Sequence, residues 1–81
     1  MNTIQIRYFA AAAEAAGCEQ EQREAPATLA ALRSELAEAY GPDMAKVLAA
    51  GSFLVNGVVR RDDGELPESA AVDVLPPFAG G

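Results

Sequence analysis

The chain has 81 residues, 51% of them hydrophobic, and a formal net charge of −6 at pH 7. That length supports one domain with one small core, and Leu, Val, Ile and Phe spread along the whole chain argue against disorder. The acidic balance argues against nucleic acid, whose phosphates need clustered Lys and Arg. No apolar run approaches the roughly 18–20 residues of a membrane span.

"TIQIRYF" alternates, with Ile4, Ile6 and Tyr8 on one face and Thr3, Gln5, Arg7 and Phe9 on the other. That is the signature of a strand. "AAAAEAAG" predicts a short helical turn closed by Gly17, and "CEQEQREA" a weakly signalled outer strand. Thr28 is placed as the N-cap of the best helix. Leu29, Leu32, Leu36 and Tyr40 follow as one apolar stripe, and Gly41-Pro42 ends it. Asp43 is placed as the cap of a second short helix, with Met44, Val47 and Leu48 inward and Gly51 as its stop.

"SFLVNGVVRR" sets two β-rich runs around Asn56-Gly57, the preferred pair of a type I′ hairpin. "DDGELPESA" is a loop with Leu66 tucked beneath it. "AVDVL" is the last strand, and Pro76-Pro77 stops it and favours an extended exit. One amphipathic helix over a mixed sheet makes a two-layer α+β domain over residues 1–76, with 77–81 as a tail.

Little in this chain can do chemistry alone. It has no His, which removes the commonest general base and metal ligand and every Ser-His-Asp or Cys-His arrangement. Cys18 stands alone beside acidic neighbours that would raise a thiol pKa, so it reads as incidental. Asp62, Asp63 and Glu65 lack calcium-loop spacing and read as a solvated loop. Arg60-Arg61 reads as surface, at an interface if anything.

The remaining feature is the close, "VLPPFAGG". Glycines there add nothing to a core, but they suit a carboxylate that must reach deep into another protein's site. A carboxylate is ionised and a poor electrophile at pH 7; as a mixed anhydride with AMP it can pass its acyl group to a nucleophile. Phe78 then looks like an apolar anchor. The alternative is a frayed end.

"PPFAGG" after a strand, "FLVNG" about twenty residues earlier, "IRYFA" at the start and "TLAALRSEL" mid-chain together resemble the MoaD-type, ubiquitin-like sulfur-carrier family, which includes the small subunit of molybdopterin synthase. The resemblance implies the β-grasp fold, with the first and last strands parallel and central. It implies that an E1-like adenylating enzyme activates Gly81 with ATP and Mg²⁺, and that sulfur from a persulfide donor converts it to a thiocarboxylate. No cofactor would be held tightly by the chain itself. The tail would insert into the large catalytic subunit of molybdopterin synthase, usually in a heterotetramer, and sulfur would pass to precursor Z (cyclic pyranopterin monophosphate) to build the dithiolene. On this resemblance Gly81 bears the sulfur, Gly80 and Ala79 thread the channel, Phe78 and Pro77 line its entrance, and Phe9 joins the contact surface. Nucleic acid and membrane are not expected partners, and the expected location is the cytoplasm. Two other readings stay open: a carrier of a sibling pathway (thiamine, cysteine, tungsten-pterin or protein modification), and a β-grasp interaction module with an inert tail.

Overall fold

A computed structural model describes residues 2–77. In chain order it contains β1 (Thr3–Tyr8), α1 (Ala11–Ala16), β2 (Gln20–Glu24), α2 (Leu29–Tyr40), α3 (Pro42–Ala50), β3 (Ser52–Val55), β4 (Val58–Arg60) and β5 (Ala71–Leu75). The strands form one mixed sheet in the order β2-β1-β5-β3-β4. The first and last strands pair in parallel, Ile6 opposite Val72 and Tyr8 opposite Val74, and each is flanked on its other side by an antiparallel neighbour. This is the ubiquitin-like β-grasp arrangement expected from the sequence.

Alternation decides which face of the sheet is covered. Ile4, Ile6, Tyr8, Phe53, Val55, Val72 and Val74 point inward and are buried, where they meet Leu29, Leu32 and Leu36 of α2 and Met44, Val47 and Leu48 of α3. Each such side chain contributes about 1.5–3 kcal/mol by leaving water. The intervening residues form an outer face without helical cover.

Local chemistry sets the element ends. Thr28 Oγ1 accepts from the Ala31 amide at 3.1 Å, capping α2 as expected. Gly17 closes α1 with φ 74° and its amide on the Ala13 carbonyl. Asn56 and Gly57 both have positive φ, 51° and 84°, as a type I′ turn requires. Leu66 is buried, and the loop around it is tied to the start of α2 through Leu66 N–H to Ala27 O and Leu29 N–H to Gly64 O.

One expectation is corrected. Asp43 does not cap α3; the N-cap is Gly41, Pro42 occupies the first turn, and no side chain caps the helix. A proline is favoured there because its missing N–H would be unpaired anyway and its φ is preset for a helix. Asp43 instead places a carboxylate in the first turn, where it favours the positive end of the helix dipole.

Candidate functional site

The site is built where β5 hands the chain to the tail. β5 lies between β1 and β3, so its backbone is held on both sides. Ser52 stands opposite Leu75, and the Phe9 amide donates to the Val74 carbonyl at 3.2 Å. Pro76 and Pro77 have no N–H with which to continue the ladder, so the sheet ends here.

The outer face near this exit carries an apolar patch edged by arginines. Leu54 lies opposite Val59 on one side and Asp73 on the other. Val59 is 57% exposed and Phe9 39%. Arg7 donates to both carboxylate oxygens of Asp73, at 2.9 and 3.1 Å, and its guanidinium lies 5.5 Å from the centroid of the Phe9 ring. The bond to Asp73 holds the Arg7 pKa above its ordinary value. At the other side of the patch, Arg61 Nε donates to Ser52 Oγ at 2.9 Å.

Among the residues singled out in the sequence, Phe9 is exposed beside β5 and Pro77 is exposed at the exit, so the structure brings these two to one end of the sheet. Phe78, Ala79, Gly80 and Gly81 lie outside the described residues. Leu54, Val59 and Leu75, not singled out beforehand, complete the patch. The two-residue Asn56-Gly57 turn could have revealed part of it, since it fixes Val55 opposite Val58 and Leu54 opposite Val59.

The acidic loop is engaged in structural ties. Asp62 pairs with Arg60 at 2.5 Å and accepts from the Gly64 amide at 2.9 Å. The Arg60 bonds, then the amide, hold its carboxyl well below the usual range. Asp63 pairs with Arg33 at 2.5 Å, and Arg33 in turn lies 5.1 Å from the centroid of Phe53. Among the described residues no group of three or more His, Cys, Asp or Glu side chains comes together as a metal site, and no helix is long and apolar enough to cross a membrane. What this end of the molecule offers is a strand paired on both sides, beside an apolar surface edged by arginines.

Comparison with known proteins fits that geometry. The chain is similar to a protein of Pyrococcus furiosus provisionally named molybdopterin converting factor, subunit 1, at 25% identity over 96% of this chain and 100% of that one, with a TM-score of 0.80. It is similar to the HVO 2177 protein of Haloferax volcanii at 26% identity over 99% and 87%, with a TM-score of 0.75. It shares its fold with small archaeal modifier protein 1 of Methanosarcina acetivorans, at 22% identity over 100% and 98%, with a TM-score of 0.79. No curated protein matches it. The ThiS family model matches residues 6–81, nearly the whole chain. The chain therefore belongs to the ThiS family and is a ThiS/MoaD-like, ubiquitin-like sulfur carrier, a kind of protein that works with partner enzymes.

Proposed function

We propose that the chain is the sulfur-carrier small subunit of a molybdopterin synthase. The observation that carries this is the passage from the doubly flanked β5 into Pro76-Pro77-Phe78-Ala79-Gly80-Gly81. A strand held on both sides fixes the point from which the last residues depart. Four residues beyond Pro77 span at most about 14 Å. An enzyme that draws Gly81 into its active site must therefore also cover the end of the sheet around Leu75, Ser52 and Phe9.

In this reading an E1-like enzyme binds ATP and Mg²⁺. A Gly81 carboxylate oxygen attacks the α-phosphorus, pyrophosphate leaves, and the carbonyl carbon becomes electrophilic. The terminal sulfur of a persulfide donor displaces AMP to give an acyl disulfide. A thiol then attacks the donor's sulfur, taking it into a new disulfide and leaving the thiocarboxylate on Gly81, so that one carboxylate oxygen is exchanged for sulfur. Gly80 and Ala79 thread the partner's channel with little side-chain bulk. Phe78 and Pro77 line its entrance, and Phe9 belongs to the contact surface. The large catalytic subunit then receives the thiocarboxylate and directs its sulfur to precursor Z. Among sulfur-carrier pathways this one is supported by the Pro-Pro pair before Phe78 and by the likeness to the Pyrococcus protein.

The test is to add one residue after Gly81. This displaces the carboxylate from the reacting phosphate, and reactions of this kind depend steeply on position. Thiocarboxylate formation should be abolished while the circular dichroism spectrum and melting temperature stay as they were. Unimpaired formation in the extended protein would sink the mechanism.

A further inference from the structure

The chain carries twelve acidic and six basic side chains. Four of its arginines are held by carboxylates: Arg7 by Asp73, Arg23 by Glu21, Arg33 by Asp63 and Arg60 by Asp62. Arg61 differs. Among the described residues no carboxylate forms an ion pair with it, although acidic groups outnumber basic ones twofold, and its one side-chain hydrogen bond to them is Nε to Ser52 Oγ. That bond orients the guanidinium of an exposed side chain and leaves its terminal nitrogens without an ion-pair partner among the described residues. A guanidinium held in this way suits two-pronged recognition of a carboxylate, with less freedom left to lose.

Its position gives the partner. Ser52, which holds it, stands opposite Leu75, the last strand residue before the tail. Arg61 also lines an open cleft of ≈ 520 Å³ with Arg33, Leu48, Gly51 and Asp63. Asp63 in that cleft is already engaged by Arg33, so the charge left unmatched there is positive. Any enzyme that reaches Gly81 must cover this region, as the tail's short reach requires. An acidic carrier attracts a basic partner surface, and such a surface would meet repulsion at this one point unless it placed an acidic group there.

Resting on the carrier reading, we propose that Arg61 is a positioning residue for activation: it pairs with a carboxylate on the adenylating enzyme, beside the mouth that admits the tail. The ion pair fixes the register in which the carrier docks, and Gly81 arrives aligned. Arg61 takes no part in the chemistry at the carboxylate.

The experiment is ATP–pyrophosphate exchange by the adenylating enzyme as the carrier is titrated, with wild type, Arg61→Gln, Arg61→Glu and Lys46→Gln. Lys46, on the exposed side of α3, also lacks an ion pair among the described residues and controls for net charge. Arg61→Gln should raise the KM for carrier roughly tenfold at low salt, with kcat within about twofold of wild type. Arg61→Glu should raise it further. Between about 50 and 300 mM salt the wild-type KM should climb more steeply than that of Arg61→Gln, since screening weakens only a pair that exists. Lys46→Gln should follow wild type. Equal KM values and salt slopes for wild type and Arg61→Gln overturn the proposal while leaving the carrier reading intact. So does an equal rise in Lys46→Gln, which would reveal a general charge effect. A fall in kcat at unchanged KM also overturns it, by placing Arg61 on the reacting nucleotide. Absence of exchange with wild type itself would overturn the carrier reading and this proposal together.

Discussion

A Cβ added to Gly51 would stand 2.1 Å from the carbonyl oxygen of Leu75 and 2.7 Å from that of Val47. Both neighbours are backbone, so neither can turn aside as a side chain would. The end of α3 and the end of β5 thus meet through a residue that must lack a side chain. Gly51→Ala should destabilise the fold by about 1–3 kcal/mol, the usual cost of overpacking. Urea unfolding would show this as a lower midpoint, and an unchanged midpoint would mean that the two ends do not touch.

Ala10 has φ 51° and ψ −121°, a conformation that suits glycine. Strain of this kind costs about 1–3 kcal/mol, while glycine adds about 0.4–1 kcal/mol of unfolded-state entropy to be lost. Ala10→Gly should therefore stabilise the protein by about 1 kcal/mol. Ala11→Gly, one position on and inside α1, should destabilise it by about 0.5–1 kcal/mol. Thermal melts of the pair distinguish a positional effect from a general one, and two downward shifts would contradict it.

Tyr8 and Tyr40 both donate their hydroxyls to Glu21 Oε2, and their rings meet edge to face with centroids 6.0 Å apart. Burial, then the Glu21 carboxylate, raises the pKa of each tyrosine above its ordinary value. The folded state therefore holds these protons more tightly than the unfolded chain, whose tyrosines titrate near about 10. Their contribution is complete below that value, and stability falls as pH rises beyond it. The urea midpoint should drop from about pH 10 upward, with a shallower drop in Tyr40→Phe. A midpoint level across that range would contradict the arrangement.

Phe78→Ala should weaken binding to the large subunit by about 1–3 kcal/mol, as for a buried aromatic anchor. Calorimetry against that subunit measures it directly. Equal affinities would remove Phe78 from the interface.

Much of this was legible in the residues. Alternation in "TIQIRY" fixed the inward face of β1, the leucine stripe fixed that of α2, and Asn56-Gly57 fixed the hairpin. Each is a local pattern read over a few residues. The strand order β2-β1-β5-β3-β4 depends instead on pairing between the two ends of the chain, and periodicity carries no information on it; the family resemblance provided that part. Helix α3 begins two residues earlier than a cap at Asp43 implies, because a proline read as a stop also opens the next helix. The Tyr8–Glu21–Tyr40 cluster joins three elements, and nothing in "CEQEQREA" distinguishes Glu21 from its solvated neighbours. Arg61 was legible as surface, with an interface as its one further reading; its lack of a carboxylate partner among the described residues emerges once the other arginines are seen to have theirs.

The most direct test of sulfur carriage is the intact mass of the chain after incubation with ATP, Mg²⁺, the adenylating enzyme, a persulfide donor and a thiol reductant. Exchange of one oxygen for one sulfur, localised to Gly81, is the predicted result. An unchanged mass, with an enzyme preparation that activates another carrier in parallel, would contradict it and leave the β-grasp domain as a binding module with an inert tail.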